Sequence, residues 1–134
     1  MAHPERRHVR SGSPFEATAA YARAVRVGDL IAVSATAATA PDGTAEHPGD
    51  TYGQARAAIA RALGAVEELG GSAADVIRTR VYLVPDAAWR DAVRAHAEAF
   101  AGVDPANTTV VVAGFIPDGV LVEVELDAVV PSQR

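Results

Sequence analysis

Cysteine and lysine are both absent from this chain of 134 residues. Without cysteine there can be no disulfide, no thiolate nucleophile and no Cys-ligated metal. Without lysine there is no Schiff-base amine and no anchor for a pyridoxal cofactor. Aromatic residues are scarce, 5% against 49% apolar overall, so the core must be built mostly from Ala, Val, Leu and Ile. That suits helices packed on a sheet and argues against disorder. No apolar run approaches the length of a membrane span. The formal charge is -5, and Arg6, Arg7 and Arg10 form the one basic cluster, so nucleic acid is not an expected partner. No hydrophobic segment follows the opening Met1-Ala2-His3-Pro4, so no signal peptide is expected and a cytoplasmic setting is.

What is present reads as one α+β domain. Residues 1–14 are polar and are expected to form a loose arm or a short edge strand at His8–Arg10, with a single domain over 15–134. Tyr21–Val27 and Leu30–Thr36 flank Gly28-Asp29, the pattern of a II′ hairpin. Residues 37–50 are a loop. Thr51 with Gln54 resembles a capping box, and Tyr52, Ile59, Leu63, Val66 and Leu69 then recur at helical spacing until Gly70-Gly71. Val76–Val84 alternates as a strand. Pro85-Asp86 opens a second helix bearing Trp89, Val93, His96 and Phe100 on one stripe. Thr108–Phe115 reads as a buried strand, and Val120–Val130 as the last one. The order is β-β-α-β-α-β-β, with room for one more strand at the start. Two helices cover one face of such a sheet; the other face must find cover elsewhere, most plausibly on neighbouring subunits.

The last strand places Val122, Val124, Leu126 and Ala128 on one side and Glu123, Glu125 and Asp127 on the other. Those acids either face solvent or line a cleft, where Arg78 and Arg80 could partner them. A carboxylate in a partly dry cleft can have its pKa raised and serve as proton donor or acceptor. The histidines, His3, His8, His47 and His96, show no metal-ligand spacing, so no metal site is expected. His96 is read as packing beside Phe100. No nucleophile elbow and no phosphate loop is present. Asn107-Thr108-Thr109 is formally a glycosylation acceptor and carries no weight without a secretion signal.

Several local patterns, in order, resemble the Rid family of reactive-intermediate deaminases, the YjgF-type proteins. They are Tyr21-Ala-Arg-Ala-Val leading into Gly28-Asp-Leu-Ile-Ala-Val-Ser34, Gln54, the run Gly70–Leu83, Pro105-Ala-Asn-Thr-Thr-Val-Val-Val, and Leu121-Val-Glu-Val-Glu125. The resemblance spans about Phe15 to Val130. It implies a chorismate-mutase-like fold, a homotrimer whose sheets wrap into a central barrel, and a small-molecule pocket at each subunit interface. It further implies hydrolysis of imines or enamines without any cofactor. By position, Tyr21 matches the family tyrosine near the pocket, Ser34 the pocket serine, and Glu123 the glutamate that positions the attacking water.

The departures are as informative. Active members carry Pro-Ala-Arg, whose guanidinium grips a substrate carboxylate bidentately; this chain has Pro105-Ala106-Asn107. Thr109 stands where a cysteine often follows, Ala35 replaces a glycine, and Val93 replaces a pocket asparagine. The Gly114-Phe115-Ile116 turn region carries one extra residue. The resemblance therefore implies a deaminase-type hydrolase that does not use the usual 2-imino acids, with Glu123 and Ser34 as catalytic candidates and Tyr21, Ala35, Asn107 and Thr109 as substrate-binding ones. A non-catalytic metabolite-binding trimer is the alternative. A ribonuclease role, sometimes attached to the family, sits badly with the acidic charge. Each residue also has a plainer reading: Tyr21 capping a subunit contact, Ser34 satisfying a backbone group, Asn107 turning the chain.

Overall fold

The computed structural model describes residues 5–131; His3 and the chain's last three residues lie outside the described residues. In chain order the elements are β1 (Arg6–Val9), α1 (Pro14–Ala19), β2 (Ala24–Val27), β3 (Leu30–Thr36), α2 (Thr51–Glu68), a single 3-10 turn (Ala73–Asp75), β4 (Val76–Leu83), α3 (Trp89–Phe100), β5 (Ala106–Val111) and β6 (Val122–Val129). The strands form one mixed sheet in the order β1-β2-β3-β6-β4-β5. Only β4 and β5 run parallel, joined by the α3 crossover that parallel strands require. This is the expected α+β architecture, with helices on one face.

β6 is the central pillar. Val122, Val124, Leu126 and Ala128 are fully buried against the helical layer, and each full burial of a Val or Leu contributes roughly 1.5–3 kcal/mol. The facing stripe of α2 is mostly alanine: Ala55, Ala58, Ile59, Ala62, Ala65 and Val66. Small residues let the helix lie close to the sheet, which answers the shortage of aromatics. Tyr52 and Leu63, read as part of that stripe, sit at its margin. At the β2–β3 turn Gly28 has φ 61° and Asp29 stays out of the left-handed region, the sign pattern of a II′ turn.

Several expectations move. Of the two expectations for the opening segment, the short edge strand is found, running from Arg6 to Val9 beside β2 rather than over His8–Arg10. α1 was not foreseen, although Ser13 caps it and Pro14 occupies its first turn. The cap of α2 is Asp50, whose side chain accepts from the Gly53 amide at 2.9 Å, not a Thr51–Gln54 box. Asp50 has the same reach one residue earlier. Gln54 is instead fully buried and ties the α2 start to the β6 approach: Nε2 donates to Gly119 O at 3.0 Å and Oε1 accepts from Leu121 N at 2.8 Å. α3 begins at Trp89 rather than Pro85-Asp86. β5 starts and ends earlier than Thr108–Phe115 and is exposed along its whole length. Its apolar run suggests burial, yet β5 is an edge strand where the helical layer stops.

Candidate functional site

Antiparallel register fixes what shares the face away from the helices. Tyr82 stands opposite Glu123, Arg80 opposite Glu125 and Arg78 opposite Asp127. Arg80 Nη1 reaches Glu125 at 3.4 Å and Asp127 at 3.3 Å, and the Tyr82 hydroxyl donates to Glu125. Arg80 thus answers the acids as expected, while Arg78 forms none of the ion pairs among the described residues. The pairs are partly exposed and organise the face more than they stabilise it. Held against Glu125, the Tyr82 phenol has its pKa raised.

Glu123 is different. It is half-buried with no ion pair among the described residues, and burial pushes its pKa up. The opposing influence is the charge of Arg23. Arg23 Nη2 donates to the Ala35 carbonyl at 2.8 Å, and its buried Nε has no hydrogen-bond partner among the described residues. Ser34 and Ala35 occupy a β-bulge, where the β3–β6 register shifts between Val33 and Thr36. Bulges break the strict alternation of a strand and re-aim its groups. The Ser34 hydroxyl donates to Ala22 O at 2.8 Å and its amide to Arg23 O at 2.9 Å. Tyr21 is partly exposed at the exit of α1, its amide bonded to Glu16 O at 3.0 Å.

Asn107 and Thr109 lie elsewhere. In parallel register Asn107 stands beside Thr79 and Thr109 beside Val81, both buried on the helix face, whereas Val110 stands beside Tyr82. Period-2 alternation therefore puts Asn107 and Thr109 on the face opposite Glu123. They line a small cavity of about 70 Å3 with Val81, Ala92, Val93 and His96. Asn107 Nδ2 donates to Thr79 Oγ1 at 3.0 Å, and Thr109 Oγ1 donates to Asn107 Oδ1 at 2.9 Å. His96 stacks obliquely on Phe100, with ring centres 4.7 Å apart, and its Nε2 lies 2.7 Å from Thr79 Oγ1. Burial lowers its pKa. A broader, open groove of about 410 Å3 beside Ile77, Asp104 and Pro105 converges no pair of titratable groups.

The candidate residues thus fall into two sets that do not meet within one chain. Tyr21, Ser34, Ala35 and Glu123 belong to β6 and the β2–β3 end; Asn107, Thr109 and Val93 belong to the β5–α3 edge. Sequence reasoning missed Arg23, Thr79 and the polar role of His96. Arg23 sat in plain view within Tyr21-Ala-Arg-Ala-Val, and only its missing partner marks it out. Among the described residues, no group of His, Asp and Glu could hold a metal ion, and no helix is long and apolar enough to cross a membrane.

With its mixed sheet, one-sided helices and half-buried β6 glutamate in place, the chain belongs to the endoribonuclease L-PSP family, which it matches over residues 11–130. An uncharacterized protein of Streptomyces coelicolor is 43% identical over 122 residues, covering 91% of this chain and 90% of that one. The crystal structure of Rv2704 from Mycobacterium tuberculosis, described as a member of the YjgF/YER057c/UK114 family, is 38% identical with a TM-score of 0.84, covering 94% of this chain and all of the other. The YjgF gene product of E. coli is 26% identical at a TM-score of 0.73, covering 91% and 92%.

Proposed function

We propose that this protein is a cytoplasmic, cofactor-free hydrolase of the reactive-intermediate-deaminase type. Its substrate is an imine or enamine metabolite other than the usual 2-imino acids, bound in clefts between the subunits of a homotrimer. The observation that carries the reading is Glu123, an acid without an ion pair, half-buried on the bare face with its pKa raised. A carboxyl group poised nearer neutrality can both take and return a proton. Water adds to the C=N carbon while Glu123 accepts its proton. Glu123 returns that proton to the nitrogen, giving the carbinolamine; the proton of the new hydroxyl then moves to the same nitrogen as the C–N bond breaks, and ammonia leaves a carbonyl compound behind.

The oligomer supplies what one chain lacks. Leu30, Val110 and Val129 are exposed on the side away from the helices, the kind of apolar surface that a partner covers. A neighbouring subunit could also bring an Asn107–Thr109 edge to a Glu123 wall. Asn107 cannot form the bidentate grip of a guanidinium, so the ordinary carboxylate-bearing substrate loses its anchor.

A non-catalytic metabolite-binding trimer is favoured by a different observation: the Ser34 hydroxyl is occupied by Ala22, and Asn107 and Thr109 bond to each other. Imines generated in solution from a panel of neutral and anionic amines separate the two readings. Glu123→Gln should abolish catalysed ammonia release from any accepted substrate while leaving the assembly intact. Unchanged turnover in that variant would remove Glu123 from the mechanism, and absence of turnover across the panel would favour the binding protein.

A further inference from the structure

Thr79 and His96 stand behind the β5 pocket, and the hydrogen bonds there have a direction. A hydroxyl has one hydrogen to give. Thr109 gives its hydrogen to Asn107 Oδ1 at 2.9 Å, and Asn107 Nδ2 donates to Thr79 Oγ1 at 3.0 Å. Thr79 is fully buried and His96 Nε2, 2.7 Å away, is the one acceptor its own hydrogen meets among the described residues, so we assign that hydrogen to Nε2. In that arrangement Nε2 is unprotonated and the ring proton sits on Nδ1. Thr79 is fully buried, so water cannot stand in for either partner.

We propose that His96 and Thr79 are positioning residues of this pocket: they fix the Asn107 amide so that the pocket presents oxygen acceptors, and it takes an uncharged hydrogen-bond donor. The donor is an imine, amine or carboxamide N–H; identifying it with the substrate rests on the proposed function. The Thr109 oxygen, its hydrogen turned toward Asn107, offers lone pairs outward. A carboxylate placed against Thr109 would meet another oxygen and no cation, because the lining residues are Val81, Ala92, Val93, His96, Asn107 and Thr109, whose remaining donors, the second Asn107 Nδ2 hydrogen and His96 Nδ1–H, are neutral.

The groups facing His96 are Thr79 from β4, Asn107 beyond it on β5, and Phe100 on its own helix. None is charged, so no acid holds the imidazole protonated, and burial favours the neutral ring. Protonation at Nε2 reverses the chain. His96 then donates to Thr79, Thr79 to a turned Asn107 Oδ1, and Asn107 Nδ2 to Thr109. The acceptor character of the pocket is lost with that reversal.

Nitrogen-15 NMR of the intact protein tests this without turnover. At neutral pH His96 should show an unprotonated Nε2. On acidification its midpoint should fall below that of an ordinary imidazole, and the Asn107 side-chain signals should move at the same midpoint. Thr79→Val should uncouple the two titrations and Thr79→Ser should restore the coupling. Acetamide and acetate, similar in size, serve as probes. Acetamide should bind about fivefold more tightly at neutral pH, the worth of one hydrogen bond, and lose that preference below the His96 midpoint. An Nε2-protonated ring at neutral pH, Asn107 signals indifferent to His96, equal or tighter binding of acetate, or no binding of either probe overturns the inference. Because none of these readouts needs catalysis, their failure is distinct from failure of the hydrolase reading.

Discussion

Asn107→Arg restores the residue that the family pattern carries at this position, and the structure sets the size of the effect. The side chain stands on the exposed edge strand β5 at the rim of the small cavity, so a longer group can extend outward without overpacking the core. Hydrogen bonds to a charged partner are worth about 1.5–3 kcal/mol, which converts to roughly tenfold to a hundredfold in kcat/KM. Against this, Thr79 loses the Asn107 donor but keeps His96, a cost of about 1 kcal/mol in stability. Thr109 is exposed and can bond to water instead. The assay is ammonia release from 2-aminoacrylate generated in situ, where the parent should be weak or inactive and Asn107→Arg more active by that factor. A variant that keeps its thermal midpoint and oligomeric state yet shows no gain would refute the idea that residue 107 carries the specificity. So would a parent protein already as fast as active family members.

Two further outcomes are expected of the same structure. Glu123 has its pKa raised by folding, so the stability it contributes is fully present below the ordinary glutamate value and is lost as pH rises through the folded value. Glu123→Gln should accordingly melt higher than the parent at neutral pH, with the difference vanishing in acid; an equal difference at every pH would contradict it. Gln54→Ala should cost about 1–3 kcal/mol, because it removes a fully buried side chain together with its bonds to the part-buried Gly119 carbonyl and Leu121 amide, and chemical denaturation would read this directly. A loss within experimental noise would show that water replaces the amide.

Most of the fold was legible because it rests on period. β3, α2, β4 and β6 announce themselves by alternation or helical spacing, and β6 declared its two faces residue by residue. The failures are equally physical. β5 looked buried because Val110, Val111 and their neighbours are apolar, but hydropathy cannot tell a core strand from an edge strand awaiting a partner. The Thr51–Gln54 pair satisfied a local rule, while Asp50 satisfied the same rule one residue earlier and freed Gln54 for a long-range bond. For the site, sequence pointed to single residues. It could not show that Ser34 and Ala35 fall in a bulge, that Asn107 and Glu123 sit on opposite faces, or that His96 reaches Thr79 across the helix–sheet interface. Each of those depends on register, which one sequence states only weakly.

The pleat of β6 has a consequence for how this protein can change. Even-numbered positions from 122 to 128 answer to folding, and odd-numbered ones from 123 to 127 answer to the open face. A single strand therefore holds the molecule together with one set of side chains and furnishes the open face with the next. Substitutions can accumulate in the odd set while the even set keeps the scaffold still.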